Sequence, residues 1–244
     1  MDRMSFRFDG TQIAAVLNQN GNPLPNPTEL DEVLRYLSVF GGFNSGLLPP
    51  NTRYLKIAQN VTTIAIEVQA AKRQVAIRHD PHNHYGLPTK EILIPDVPFP
   101  SAAFIFKLNR SADKKYMISV CYIYALASSG LNSLDEKLYY FPTPNIMYGQ
   151  TICWGYNAQA ANKLSYHSLA SIEGAVNYLY GAGFNDHVFH KDLLSKEFDW
   201  SKIPNVRNVE LYFEQLRQAG SFDIKWLRPQ NLTFAQALEK IQHG

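Results

Sequence analysis

Residues 64–77 read Ile-Ala-Ile-Glu-Val-Gln-Ala-Ala-Lys-Arg-Gln-Val-Ala-Ile, and the period of two in this stretch decides the fold class. Ile64, Ile66 and Val68 alternate with Ala65, Glu67 and Gln69, as in a strand that turns one apolar face to a core. After the turn-like AAKR at 70–73, Val75 and Ile77 resume the alternation. Further along, Phe104, Phe106 and Leu108 form a third run, and Ile118, Val120, Tyr122 and Tyr124 a fourth. Four strands in series predict an antiparallel meander. Between the second and third strands lie a His-rich loop, RHDPHNHYG at 78–86, and a proline-punctuated segment, IPDVPFPSA at 94–102.

Outward from this centre, residues 1–27 read as a short strand pair that ends in a turn-forming stretch with Pro23, Pro25 and Pro27. A helix is expected next. Thr28 can cap it, Asp31 completes a [ST]-x-x-[DE] start, Leu30, Val33, Leu34 and Leu37 share a face, and Gly41 and Gly42 end it. Downstream, Leu169, Ile172, Val176 and Leu179 lie on one helical stripe. Val209, Tyr212, Phe213 and Leu216 form another, closed by Gly220, and Thr233 with Gln236 makes a capping box for a last helix bearing Phe234, Leu238 and Ile241. Helices segregated from an antiparallel sheet give an α+β class.

Composition excludes several functions. The 244 residues are 45% hydrophobic and 18% charged, below the typical charged share of about 25%, which argues against disorder and charge-laced coiled coil. With 23 basic and 21 acidic residues the net charge is +2, too small for the one-sided field of a general nucleic-acid binder. The longest apolar stretch, 117–127, is shorter than the roughly 18 residues of a membrane helix, and MDRMSFRFDG lacks a signal peptide's apolar run. A cytoplasmic location and no membrane association are the expectations. Two cysteines, Cys121 and Cys153, cannot build a disulfide framework or a zinc site.

Residues 139–157, YYFPTPNIMYGQTICWGYN, carry the chemical signal. Two prolines and two glycines exclude a long helix or a regular central strand, so this is an ordered loop. A thiol can hold an acyl group as a thioester and pass it to an amine, and it must sit where a large donor can reach it. Cys153 is the candidate. Asn145 is read two ways: as a turn former bonding its own backbone, or as an amide that stabilises the oxyanion. Removal of the amine's proton requires a carboxylate, an imidazole or a desolvated setting, and Asp186, His187 and His190 in FNDHVFH follow the first post-loop helix.

Pro144-Asn145-Ile146, then Gly149 and Ile152-Cys153, resemble the active-site loop of ubiquitin-conjugating enzymes, where a His-Pro-Asn triplet precedes a glycine and an Ile-Cys pair. As in that family, asparagine and cysteine are eight residues apart. The likeness is strongest to prokaryotic ubiquitin-conjugating family D, the branch that includes the PRTRC system B proteins, and covers roughly 28–185. Three positions depart from the pattern: Thr143 stands for the histidine, the glycine is four rather than three residues before the cysteine, and Gly155 replaces the usual acidic residue. The resemblance implies a UBC-like fold, divided as an N-terminal extension at 1–27, a core domain at 28–190 and a helical C-terminal extension packed on it at 191–244. It further implies a catalytic set of Cys153, Asn145, His187 and Asp186, His187 being favoured for proton handling. No cofactor is expected. The implied partners are a ubiquitin-like modifier, a ThiF-type adenylating enzyme and a JAB-type metallopeptidase. The competing expectation is a catalytically inactive adaptor of the same fold, or a structural component of a plasmid or defence system, with Thr143 and Gly155 as signs of decay.

Other features have plainer readings. Cys121 is expected in the core. His79, His82 and His84 with Asp80 are spaced too loosely for a metal site. Lys107, Arg110, Lys114 and Lys115 are expected around a solvated hairpin turn, and Trp200 and Trp226 in packing.

Overall fold

The computed structural model describes residues 5–9, 12–17, 48–58, 60–79, 90–113, 115–128, 130–154, 165–185, 188–205 and 208–243. The helix expected from Thr28 lies outside the described residues, as do His82, His84, Asp80 and Lys114.

The strands are β1 (Ser5–Asp9), β2 (Gln12–Leu17), β3 (Thr52–Ala58), β4 (Val61–Val68), β5 (Ala71–His79), β6 (Lys90–Phe99), β7 (Ser101–Arg110), β8 (Tyr116–Leu126), β9 (Lys137–Tyr140), β10 (Ser165–Tyr166) and β11 (Pro229–Thr233). Three α-helices, α1 (Glu173–Gly181), α2 (Val209–Ala219) and α3 (Phe234–His243), follow the main run of strands. Nine strands form one antiparallel sheet in the order β11-β9-β8-β7-β4-β3-β1-β2, with β10 beside β8. An antiparallel sheet with helices is the α+β class.

The expected four-strand meander is corrected at its second member. β4 pairs directly with β7, from Val61↔Asn109 to Val68↔Ala102. The strand of Val75 and Ile77 leaves the sheet and pairs with β6 as a separate hairpin. The proline-punctuated segment 94–102 is mostly strand. Pro95 and Pro98 are tolerated because β6 has a single neighbour, so a missing N–H need not break a ladder. An extra residue bulges β6 opposite Arg73/Val75, with Asp96 at φ 57. The strand pair at the N-terminus forms as β1 and β2, and β1 extends the main sheet by pairing with β3.

Alternation then sorts side chains into two cores. Ile64, Ile66, Phe104, Phe106, Cys121 and Ile123 face one side, where Val75 and Ile77 of the hairpin join Val176 and Leu179 of α1 and Tyr212 and Phe213 of α2. Ala65, Ala103, Ile105 and Tyr124 face the other, under Phe234, Leu238 and Ile241 of α3. β7 is consequently buried on both faces.

Helix ends follow their local chemistry. Asn208 caps α2 by accepting from the Leu211 N–H at 3.0 Å, and Gly220 closes it at φ 73, where a Cβ would be strained. The capping box of α3 forms: the Thr233 N–H donates to Gln236 Oε1 (2.9 Å), and the Gln236 N–H to Thr233 Oγ1 (3.4 Å). α3 thus covers one sheet face and β11 extends its edge, while α2 packs on the opposite face.

Candidate functional site

The loop after β9 folds into a short hairpin docked on the edge of β8. Ile146 and Ile152 face one another as an antiparallel bridge. The Met147 N–H donates to Thr151 O (2.9 Å) on one side of that bridge, and the Cys153 N–H to Asn145 O (2.8 Å) on the other. Asn145 and Cys153, eight apart in sequence, thus lie opposite each other across the hairpin. The second limb is pinned to the sheet: the Ile123 N–H donates to Gln150 O (2.9 Å), and the Ile152 N–H to Cys121 O (3.1 Å). It fills the edge of β8 between β10 and β9.

Ile152 enters the core and Cys153, the next residue, is exposed. Trp154 lies half-buried, its ring 6.2 Å from that of Tyr178, and Cys153 stays exposed beside it. Cys121 is only 1% exposed, as expected of a core residue, and burial pushes its thiol well above the ordinary range. The two thiols are therefore opposite in kind: one is open at the end of a fixed limb, the other is a protonated packing group.

Asn145 is 8% exposed and takes a left-handed conformation, φ 65, which asparagine tolerates better than most residues. Its Nδ2 donates to Gly183 O at 3.1 Å, so the side chain ties the loop to the segment after α1. That segment is in turn held to β5, with the Arg78 N–H donating to Phe184 O (2.9 Å) and the Phe184 N–H to Ala76 O (2.7 Å). The Asn145 side chain thus bonds a distant carbonyl and not its own backbone, and one of its two amide protons is committed. Thr143, at the position of the family's histidine, is sealed in the interior with its hydroxyl lacking a partner.

Asp186 and His187 lie outside the described residues, as does Gly155. His190 is exposed, while its neighbour Phe189 packs in the core.

The residue that sequence reasoning missed is Gln150. It is fully buried, sits at φ 67, and accepts the Phe141 N–H on Oε1 at 2.6 Å. Its own N–H donates to Met147 O (2.7 Å), closing the turn. The left-handed position of this turn belongs to Gln150, whereas a Cβ on Gly149 would meet open space. No local pattern marks a glutamine for such a site, since the conformation is rare outside glycine, asparagine and aspartate. Tyr212 adds a brace from α2, its hydroxyl donating to Pro142 O.

The remaining candidates separate. Lys107 reaches Gln242 O at the end of α3 (3.5 Å), while Lys115 pairs with Asp113 (2.9 Å) in the β7–β8 turn, so the basic cluster is no single patch. Trp200 and Trp226 stack about Phe198, at 4.8 and 5.4 Å. Among the described residues there is no cluster of His, Cys, Asp and Glu fit to hold a metal, and no helix long and apolar enough to cross a membrane. Comparison with known protein families, characterised proteins and solved structures yields no match to this chain.

Proposed function

We propose that this chain is a bacterial ubiquitin-conjugating-type transferase of UBC-like fold, which carries a ubiquitin-like modifier as a thioester on Cys153 and transfers it to an amine. The observation that carries this reading is the exposed Cys153 thiol on a limb hydrogen-bonded to both Asn145 and β8, with the only other thiol buried. The element order supports it: strands β3, β4, β7 and β8 run antiparallel side by side, the cysteine loop follows, then a helix, with the β5–β6 hairpin as an insertion.

In the first step the Cys153 sulfur attacks the carbonyl carbon of the modifier's thioester on a ThiF-type adenylating enzyme, and the upstream thiolate leaves. In the second an amine attacks the Cys153 thioester, the oxygen becomes negative, and collapse expels the Cys153 thiolate while the amine loses a proton. The Asn145 amide proton not given to Gly183 is the donor proposed for that oxygen. Asp186 and His187 follow Gly183, which accepts from Asn145, by three and four residues in sequence. His187 is the proposed proton acceptor. A JAB-type metallopeptidase would reverse the modification, and a cytoplasmic setting belongs to the same proposal.

The committed Asn145 amide and the buried Thr143 favour the second reading, an inactive adaptor. Mixing the protein with its adenylating enzyme, modifier and ATP decides between them. The transferase reading expects a thiol-reducible adduct, lost in Cys153→Ala, converted to a reductant-resistant ester in Cys153→Ser and kept in Cys121→Ala. Absence of any adduct while the upstream enzyme is charged overturns the transferase reading and favours the adaptor.

A further inference from the structure

The tip of the site hairpin presents what the interior would normally hide. Met147 is 48% and Tyr148 61% exposed, two of the few large hydrophobic side chains turned to solvent among the described residues. Single exposed apolar residues are ordinary, but these stand in company. The Tyr140 ring lies 6.1 Å from Tyr148 and carries the Arg228 guanidinium 5.0 Å above it. On the other flank, Lys240 Nζ donates to Gly149 O (3.3 Å) and sits 4.6 Å from the Tyr122 ring centroid. Tyrosine, methionine and arginine are the residues enriched where proteins meet.

Two further facts give the patch direction. Gly149 is required neither by a left-handed φ nor by packing, since a Cβ there would meet nothing within 4 Å. The fold itself does not need a glycine at this place, and the bare backbone beside Tyr148 lets another chain approach closely. The backbone of the tip is also closed by the Met147–Thr151 and Gln150–Met147 hydrogen bonds, so little backbone entropy is lost when a partner docks there. Among the described residues neither flanking cation has a carboxylate partner: Lys240 donates to the Gly149 carbonyl and Arg228 to the Asp192 carbonyl.

We propose that Met147, Tyr148, Arg228 and Lys240 form a docking surface for an acidic segment of a partner protein that carries an aromatic or large aliphatic side chain. The apolar residue of the segment packs on Tyr148 and Met147, its backbone crosses Gly149, and carboxylates on either side meet Lys240 and Arg228. The charge of the patch selects this occupant, because two uncompensated cations beside exposed rings repel a basic segment and attract an acidic one. The surface lies on the turn of the hairpin that ends in Cys153 but requires no thiol chemistry.

The probe is a short fluorescein-labelled peptide with a central Phe flanked by Asp and Glu, titrated by anisotropy at low salt against the full chain in a Cys153→Ala background. Control peptides replace the acids with Lys, or the Phe with Ser. The acidic aromatic peptide is expected to bind, to weaken as salt rises, and to lose about tenfold in affinity with Lys240→Glu and again with Tyr148→Ser. Both positions are exposed, so unchanged melting temperatures confirm that the variants fold. The proposal is overturned if the acidic peptide fails to bind, if the basic control binds equally well, or if neither substitution changes the affinity. Adduct formation on Cys153 is read separately, so failure here leaves the transferase reading standing, and the reverse holds too.

Discussion

Gln150 offers the sharpest test of the site, because its backbone and its side chain make opposite demands. Gln150→Ala removes the acceptor of the Phe141 N–H, and an orphaned buried donor costs about 1–3 kcal/mol. It also keeps a Cβ at φ 67, a conformation that costs an ordinary residue roughly 1–2 kcal/mol. Gln150→Gly loses the same acceptor but not that strain, while the looser unfolded chain of glycine takes back about 0.4–1 kcal/mol. The glycine variant should therefore be the more stable of the two, by up to about 1.6 kcal/mol, although glycine substitutions usually rank below alanine. In a chain of this size 1 kcal/mol moves the melting temperature by about 2–4 °C. Thermal melts by circular dichroism resolve that difference. Gln150→Glu supplies a separate check: it retains an acceptor but buries a carboxylate, whose folded-state pKa must rise above its unfolded value. Its stability is then fullest below the ordinary glutamate pKa of about 4.3 and falls as pH climbs past it. If Gln150→Gly melts at or below Gln150→Ala, the left-handed turn is not at Gln150 and the account of how Cys153 is held fails.

Three other outcomes are expected. In the native protein iodoacetamide reaches the exposed Cys153 directly, while Cys121 waits for opening and reacts at least about a thousandfold more slowly, given a global stability of roughly 5–15 kcal/mol; peptide mapping that finds both labelled together counts against the two-core packing. Glu67, buried and accepting from Arg53 Nε (2.8 Å), the Leu131 N–H (2.8 Å) and Gln69, ties the chain after β8 to β4, so Glu67→Ala should cost about 3–5 kcal/mol in urea unfolding, and a loss below about 1 kcal/mol refutes that role. Burial raises the hydroxyls of Tyr124, Tyr180 and Tyr212, and raises Tyr166 to about 12. Their neutral forms belong to the fold, so this contribution is whole below the unfolded value of about 10 and is lost as pH rises beyond it. The share of the tyrosinate absorbance that belongs to these buried side chains should accordingly appear together with loss of the circular dichroism signal above that pH; smooth titration of every tyrosine in a folded protein contradicts the burial.

How much of this was legible in the chain depends on the range of each signal. The alternation around Ile64 and Phe104, and the capping box at Thr233, act through neighbours a few residues away, and they form as their pattern implies. The partner of β4 was not legible, because Val75 and Ile77 satisfy a period of two equally well in the main sheet or in a separate hairpin. Prolines disguised β6, whose single-sided pairing is a property of the assembled sheet.

The sequence by itself determined an α+β chain and a loop in which an asparagine and a cysteine stand eight residues apart, since those follow from periodicity and spacing. Tertiary structure decided which thiol is open, that one Asn145 amide proton is given to Gly183, and that a buried glutamine rather than a glycine turns the hairpin. Each of these depends on groups distant in sequence competing for the same hydrogen bonds and the same buried space, and such competition is settled only when the sheet, α1 and α2 close around the loop.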